Sequence, residues 1–178
     1  MSINKTLVIL GGGQLGKMLL QKAADYNIQS IVIDPDEDAP CKNLCSKFVN
    51  GSFTDFDTVI KACATADIVT VEIEHVNVDA LFELEKMGCL VYPQPRILSM
   101  VNDKGLQKQF YAEHNIPTAD FYLVEHKSEI KTDIFPIILK SRKGGYDGKG
   151  VLKLNNVSDL DKAFDAPSLV DRKSTRLN

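Results

Sequence analysis

Apolar residues along the chain fall into short uninterrupted runs, separated by stretches whose apolar positions recur at helical spacing. Leu7-Val8-Ile9-Leu10, Ile31-Val32-Ile33 and Ile68-Val69-Thr70-Val71 are runs of the kind that form strands buried on both faces. They predict strands at about 6–10, 29–33 and 67–73, with a short one near 48–49 and another at 89–92. Between them the pattern predicts helices at about 14–27, 54–65 and 77–87. Leu15, Met18, Leu19 and Ala23 fall on one face of the first helix, and Gly88 is placed to stop the third. Strands alternating with helices imply a parallel sheet covered on both faces, with 7–10 and 68–71 as central strands.

The pattern changes at Tyr92-Pro93-Gln94-Pro95, a punctuation that sets a domain boundary near residue 95. Asn102-Asp103-Lys104 then caps a helix that runs to about His114 and ends before Ile116-Pro117. Strands at 121–125, 136–140 and 151–154 predict a small antiparallel sheet, followed by a last helix from Val157 to Phe164. The end, Asp171–Asn178, is rich in cations and lacks apolar periodicity, so it reads as an unstructured tail.

Composition narrows the choice of function. The chain has 178 residues, 44% hydrophobic and 25% charged, enough for one large domain or one domain and part of another. A net charge of −3 with no basic cluster in the body of the chain argues against nucleic-acid binding. No apolar run approaches the length that spans a membrane. Cys41, Cys45, Cys63 and Cys89 lack paired CxxC spacing and read as reduced thiols of a cytoplasmic protein, although Cys41 and Cys45 could share a metal. His75, His114 and His126 lie too far apart in sequence to suggest a metal site, and no metal ligand is assigned.

Three segments carry candidate chemistry. Pro136-Ile137-Ile138-Leu139-Lys140 is a strand ending on a lysine. Gly144-Gly145-Tyr146-Asp147-Gly148-Lys149-Gly150 follows, and Val151-Leu152-Lys153-Leu154 returns. Glycines let backbone N–H groups approach a phosphate, and Lys140 and Lys149 supply compact positive charge. A phosphate-binding P-loop would lead into a helix and end in Gly-Lys-Ser/Thr, so this segment reads as a hairpin flap over a nucleotide triphosphate. The alternative is a surface hairpin turning at Asp147-Gly148 with solvated lysines.

At the amino end Gly11-Gly12-Gly13-Gln14-Leu15-Gly16 fits GxGxxG between strand and helix, with Asp34 ending the next strand. This is either a dinucleotide fingerprint, with Asp34 on a ribose hydroxyl, or a turn that permits close helix–strand packing. The third segment, Ile68 to His75, is a strand carrying Glu72 and Glu74 at its carboxyl end. On a continuing strand both carboxylates face one side, where they either hold an amine-bearing substrate or are solvated.

Taken in order, Gly-Gly-Gly-Gln-Leu-Gly, Glu-Ile-Glu-His-Val, Asn-Asp-Lys-Gly-Leu-Gln-Lys, Ile-Pro-Thr and Leu-Lys-Ser-Arg-Lys-Gly-Gly-Tyr-Asp-Gly-Lys-Gly resemble one family, the 5-(carboxyamino)imidazole ribonucleotide synthases of purine biosynthesis, which are ATP-grasp ligases. The resemblance covers roughly residues 5–170. It implies an α/β protein: a Rossmann-like pre-ATP-grasp domain with a parallel sheet at 1–95, then the first part of an α+β ATP-grasp domain at 96–170, then the tail at 171–178.

The resemblance also implies chemistry. ATP phosphorylates bicarbonate, and aminoimidazole ribonucleotide captures the resulting carboxyphosphate. Lys104 and Lys140 are the implied ATP-contacting cations, and Gly145, Tyr146, Asp147, Gly148, Lys149, Gly150 and Val151 the flap over the phosphates. Asp147 and Lys149 are the implied catalytic residues, lying where both substrates would meet. Gln14, Leu15 and Glu72 belong to the ribonucleotide side, with Glu74 a weaker candidate, and Asp34 becomes structural. Magnesium is implied, with its ligands expected in sequence beyond residue 178. A homodimer is implied for the full-length protein, and the 178-residue chain is expected to be an incomplete, inactive part. The competing readings are an NAD-binding oxidoreductase domain and a non-catalytic nucleotide-binding module.

Overall fold

A computed structural model describes residues 5–144 and 150–172, and shows two compact units, Met1–Ser99 and Met100–Asn178. In the first, β1 (Thr6–Leu10), α1 (Gln14–Asp25), β2 (Gln29–Asp34), β3 (Lys47–Asn50), α2 (Phe56–Ala62), β4 (Ile68–Val71), α3 (Val78–Lys86), β5 (Leu90–Tyr92) and α4 (Pro95–Val101) follow one another. The five strands form a wholly parallel sheet in the order β3-β2-β1-β4-β5. The apolar runs at 7–10 and 68–71 are thus neighbouring strands inside the sheet, with Leu7 opposite Ile68 and Leu10 opposite Val71.

Alternation along these strands sorts the core into two layers. Val8, Leu10, Ile31, Ile33, Val69 and Val91 pack with Val59 of α2, Ala80, Leu81 and Leu84 of α3, and Leu98 of α4. Leu7, Ile9 and Val32 pack on the opposite face with Leu20 and Ala23 of α1 and with Cys41. Asp55 and Asn77 cap α2 and α3 by accepting the N–H groups of Thr58 and Ala80. Gly88, at φ +91°, lies just past the C-terminus of α3.

Two expectations change here. The buried stripe of α1 is Gly16, Leu20 and Ala23, whereas Leu15, Met18 and Leu19 are exposed. Gly16 decides this: a Cβ there would lie 3.0 Å from the Gly11 carbonyl oxygen and 3.1 Å from Cys41 Sγ, so the glycine edge of the helix is the one that meets the sheet. The second is α4, absent from the sequence reading because Pro93 and Pro95 crowd its start. Pro95 occupies its first turn, where a missing N–H costs no helical hydrogen bond.

In the second unit α5 (Lys104–Glu113), β6 (Phe121–Val124), β7 (Ile137–Ser141), β8 (Val151–Leu154) and β9 (Ser168–Arg172) form a helix and a four-stranded antiparallel sheet in the order β6-β9-β7-β8. Val124, Ile137, Leu139, Leu154 and Val170 on one sheet face bury Ile130 and Ala163. Asp171 and Arg172 are therefore not tail but part of a central strand. Their placement comes from pairing on both sides, with Phe121 opposite Asp171 and Ile137 opposite Arg172, which local sequence does not display. The segment read as a last helix is a 3-10 helix at Val157–Lys162. Its packed residues Leu160 and Ala163 are three apart, and Ala163 N–H donates to Leu160 O, the spacing and hydrogen bond of a three-residue turn.

Candidate functional site

In the first unit the candidate residues gather at the carboxyl ends of β1 and β4. From β1 the chain winds outward through β2 to β3, while β4 and β5 lie on the other side. The β1–β4 gap is therefore the point where ligands bind in open parallel sheets. The glycine turn leaves β1 here. Gly11 has φ +103°, a value that L side chains rarely adopt. A Cβ on Gly11 would lie 2.9 Å from Glu72 Oε2, and one on Gly13 only 2.6 Å from Glu72 Oε1. The Glu72 carboxylate therefore rests on the glycine turn, in the space that side chains would fill. Its own backbone N–H donates to Leu10 O at 2.8 Å, which ties it to the end of β1.

Gly13 is the N-cap of α1 and supplies no side-chain acceptor, and no acidic residue lies in the first turn. Gln14 and Leu15 are exposed at this helix start, Leu15 by 64%. Glu72, the glycine turn and the α1 N-terminus thus form one wall. Glu74 does not share it in the way strand alternation implied. β4 ends at Val71, residues 72–74 bend away from strand geometry, and Glu74 is exposed.

Asp34 has a different task from the one a dinucleotide fingerprint would give it. Its Oδ2 accepts the Gly12 N–H at 2.6 Å and its Oδ1 accepts the Asp36 N–H at 2.8 Å. A Cβ on Gly12 would meet the Cβ atoms of Asp34 and Ala39 at 3.2 and 3.1 Å. Cys41 closes the back of the turn, its Sγ 3.6 Å from Gly13 O, with burial pushing its thiol up to about 11. Sequence spacing gave Asp34 as an acid at a strand end and carried no signal that its partner was the turn's own backbone.

In the second unit the candidates converge on the β7–β8 hairpin. Lys140 pairs in register with Val151, and Ser141 N–H donates to Gly150 O at 2.8 Å. Lys104, the first residue of α5, extends its Nζ to Gly144 O at 3.2 Å. Two lysines from different elements therefore stand at the described ends of the glycine loop. Gly145, Tyr146, Asp147, Gly148 and Lys149 lie outside the described residues. Lys140 Nζ lies 2.7 Å from Asp171 Oδ2, and Lys108 Nζ of α5 lies 3.2 Å from Asp171 Oδ1.

A further ion pair went unread in the sequence. Asp103, 2% exposed, receives Arg142 Nε at 3.0 Å and Nη2 at 2.9 Å. A pocket of about 350 Å³ opens beside the pair and is lined also by Glu125, Ser141 and Lys143. Its walls mix both signs of charge. Among the described residues no group of three His, Cys, Asp or Glu side chains could hold a metal ion, and no helix is long and apolar enough to cross a membrane.

Comparison with known proteins follows this division. Residues 4–102 match the family described as the ribonucleotide synthetase preATP-grasp domain, and residues 109–174 match the ATP-grasp domain. The phosphoribosylaminoimidazole carboxylase of Ogataea methanolica is 36% identical over 169 residues, covering 90% of this chain and 31% of that protein. The N5-carboxyaminoimidazole ribonucleotide synthase of Staphylococcus epidermidis is 34% identical over 164 residues, covering 89% of this chain and 43% of that protein. The crystal structure of N5-carboxyaminoimidazole synthase from Aspergillus clavatus, in complex with ADP and 5-aminoimidazole ribonucleotide, superposes with a TM-score of 0.86 at 28% identity, over 98% of this chain and 48% of that one. The chain thus spans 31% to 48% of the length of these proteins.

Proposed function

Since the chain belongs to the ribonucleotide synthetase preATP-grasp family, we propose that it is the N-terminal part of an ATP-dependent ligase that carboxylates 5-aminoimidazole ribonucleotide. The observation that carries this reading is the convergence of Lys104, Lys140, Gly144 and Gly150 at one hairpin root. Relatives named for this reaction, and a similar structure holding ADP and the ribonucleotide, support it.

In the proposed reaction the γ-phosphoryl group passes to a bicarbonate oxygen. Its bond to the β-phosphate oxygen breaks and ADP forms. The exocyclic amine of the ribonucleotide then attacks the carbonyl carbon of carboxyphosphate, phosphate leaves, and the amine loses a proton. Lys104, Lys140 and the loop amides offset phosphoryl charge as it moves. By the family resemblance, covering the phosphates and shielding the mixed anhydride from water falls to Gly145–Val151, and the chemistry to Asp147 and Lys149. The wall of Gln14, Leu15 and Glu72, with Glu74 at its margin, holds the ribonucleotide. Magnesium belongs to the reaction of the family, but the described residues offer no group of three His, Cys, Asp or Glu donors for it. A reducing, cytoplasmic setting and a homodimer of the full-length protein complete the reading, the first supported by four free thiols.

The test is titration of the labelled chain with ATP, 5-aminoimidazole ribonucleotide and NAD while backbone amide signals are followed. ATP is expected to move Lys104, Lys140 and Gly150, and the ribonucleotide to move Gly11–Gly16 and Glu72. An NAD response centred on Gly12 and Asp34 would replace this reading with an oxidoreductase one. The engagement of both Asp34 oxygens by the Gly12 and Asp36 N–H groups argues against that outcome.

A further inference from the structure

The Asn-Asp-Lys-Gly-Leu stretch contributes more than Lys104. Asp103 is buried and makes four hydrogen bonds. Its Oδ1 accepts Gly105 N–H at 2.9 Å, Leu106 N–H at 3.2 Å and Arg142 Nε at 3.0 Å, and its Oδ2 accepts Arg142 Nη2 at 2.9 Å. One carboxylate thus caps α5 and grips a guanidinium in the two-pronged geometry that fixes both partners. The backbone repeats the link, because Lys104 N–H donates to Arg142 O at 3.0 Å. Gly105 is glycine for lack of room: a Cβ there would lie 2.8 Å from Arg142 Nε and 3.1 Å from Leu123 Cδ2.

Arg142 sits two residues beyond Lys140 and two before Gly144. By charge alone it is a natural phosphate ligand. The structure commits it elsewhere. Nε and Nη2 are taken by Asp103, and Nη1 faces Glu125 Oε1 at 3.5 Å. Its backbone N–H donates to Pro167 O at 3.1 Å, which fixes the residue from a fourth direction.

We propose that Asp103 and Arg142 are positioning residues of the nucleotide site. Together they lock the start of α5 to the end of β7, so that Lys104 and the root of the glycine loop stay aligned for a phosphate chain. This rests on the ATP reading above. Without the lock, Lys104 keeps its charge but loses its fixed distance from Gly144, and a cation that must first be ordered binds phosphate more weakly.

The test uses the 178-residue chain with Asp103→Asn, which keeps an acceptor for the cap, and the milder Arg142→Lys, which keeps the charge and removes the fork. Circular dichroism selects a temperature at which each variant is folded. ATP and AMP affinities are then measured by calorimetry, and amide exchange by mass spectrometry. The expected result is a loss on the order of tenfold for ATP with AMP changed less than about twofold, because the positioned cation serves the outer phosphates. Exchange at Lys104 and Ser141 amides should quicken at the same time. Equal losses for ATP and AMP would reduce the pair to a purely structural role. If the unaltered chain binds no ATP, the functional reading fails. Unchanged exchange at Lys104 and Ser141 in the ligand-free variants overturns the positioning lock independently.

Discussion

The carboxylate of Asp34 accepts the backbone N–H of Gly12 at 2.6 Å, so the acid that ends β2 holds the turn that leaves β1. A second backbone N–H, from Asp36, binds the other oxygen. Hydrogen bonds to a charged acceptor each contribute more than neutral ones, so Asp34→Ala should destabilise the first unit by about 2 kcal/mol. It should also weaken ribonucleotide binding while leaving ATP binding unchanged. Urea unfolding and calorimetry on the variant check both, and a midpoint equal to that of the unaltered chain would remove Asp34 from the turn's support.

Glu72 and Gly13 compete for the same space. Gly13→Ala places a Cβ 2.6 Å from the present position of Glu72 Oε1, and the cost of such overpacking is about 1–3 kcal/mol. Glu72→Ala alone should weaken the ribonucleotide more than ATP. The double variant should regain most of the stability lost by Gly13→Ala, since the obstructing carboxylate is gone. Loss of stability that simply adds in the double variant would mean that the two residues do not share this contact.

Asp103 gives the second unit a defined acid sensitivity. Burial pulls its carboxyl upward, but Arg142 and the Leu106 and Gly105 N–H groups outweigh burial and hold it below the usual aspartate value of 3.8. A group lowered on folding stabilises fully above its unfolded value, and that contribution fades as pH falls through its folded value. The stability difference between the unaltered chain and Asp103→Asn should therefore be constant from about pH 6 to pH 5 and shrink below about pH 4. Urea midpoints across that range decide the matter. A difference that persists unchanged at the acid end contradicts the assignment.

Phosphate release from ATP, bicarbonate and the ribonucleotide should be at least about a hundredfold slower with this chain than with a full-length relative, the scale of losing essential transition-state contacts. The described residues contain no metal-donor cluster, and the matched region makes up 31% and 43% of two of the relatives. Comparable turnover would show that the two units described here are sufficient.

Much of this architecture can be read from short-range pattern. The runs at 7–10, 31–33 and 68–71 are apolar on both faces because both faces of those strands are covered, and that signal needs no knowledge of partners. The glycine turn and the Asp103 cap are similarly local. What pattern could not supply was pairing across distance. Strand β9 contains only Leu169 and Val170 as an apolar core, too little to distinguish it from a tail, and it becomes a strand because β6 and β7 flank it. The pairing of Arg142 with Asp103 is equally nonlocal, because the two stand 39 positions apart. Glu74 was placed beside Glu72 by assuming that β4 continued, whereas the chain bends after Val71.

The order β6-β9-β7-β8 has a consequence for how the second unit comes into being. During synthesis β6 emerges early, yet among the described residues its one neighbour in the sheet is β9. Until Ser168–Arg172 has left the ribosome, Phe121–Val124 waits for its described partner strand, while β7 and β8 can already close as a hairpin. The first unit can gather progressively from β1, α1 and β2. The second must wait for its last strand to enter between two earlier ones, a nonlocal step of the kind that slows folding and leaves strand edges open to other chains in the meantime.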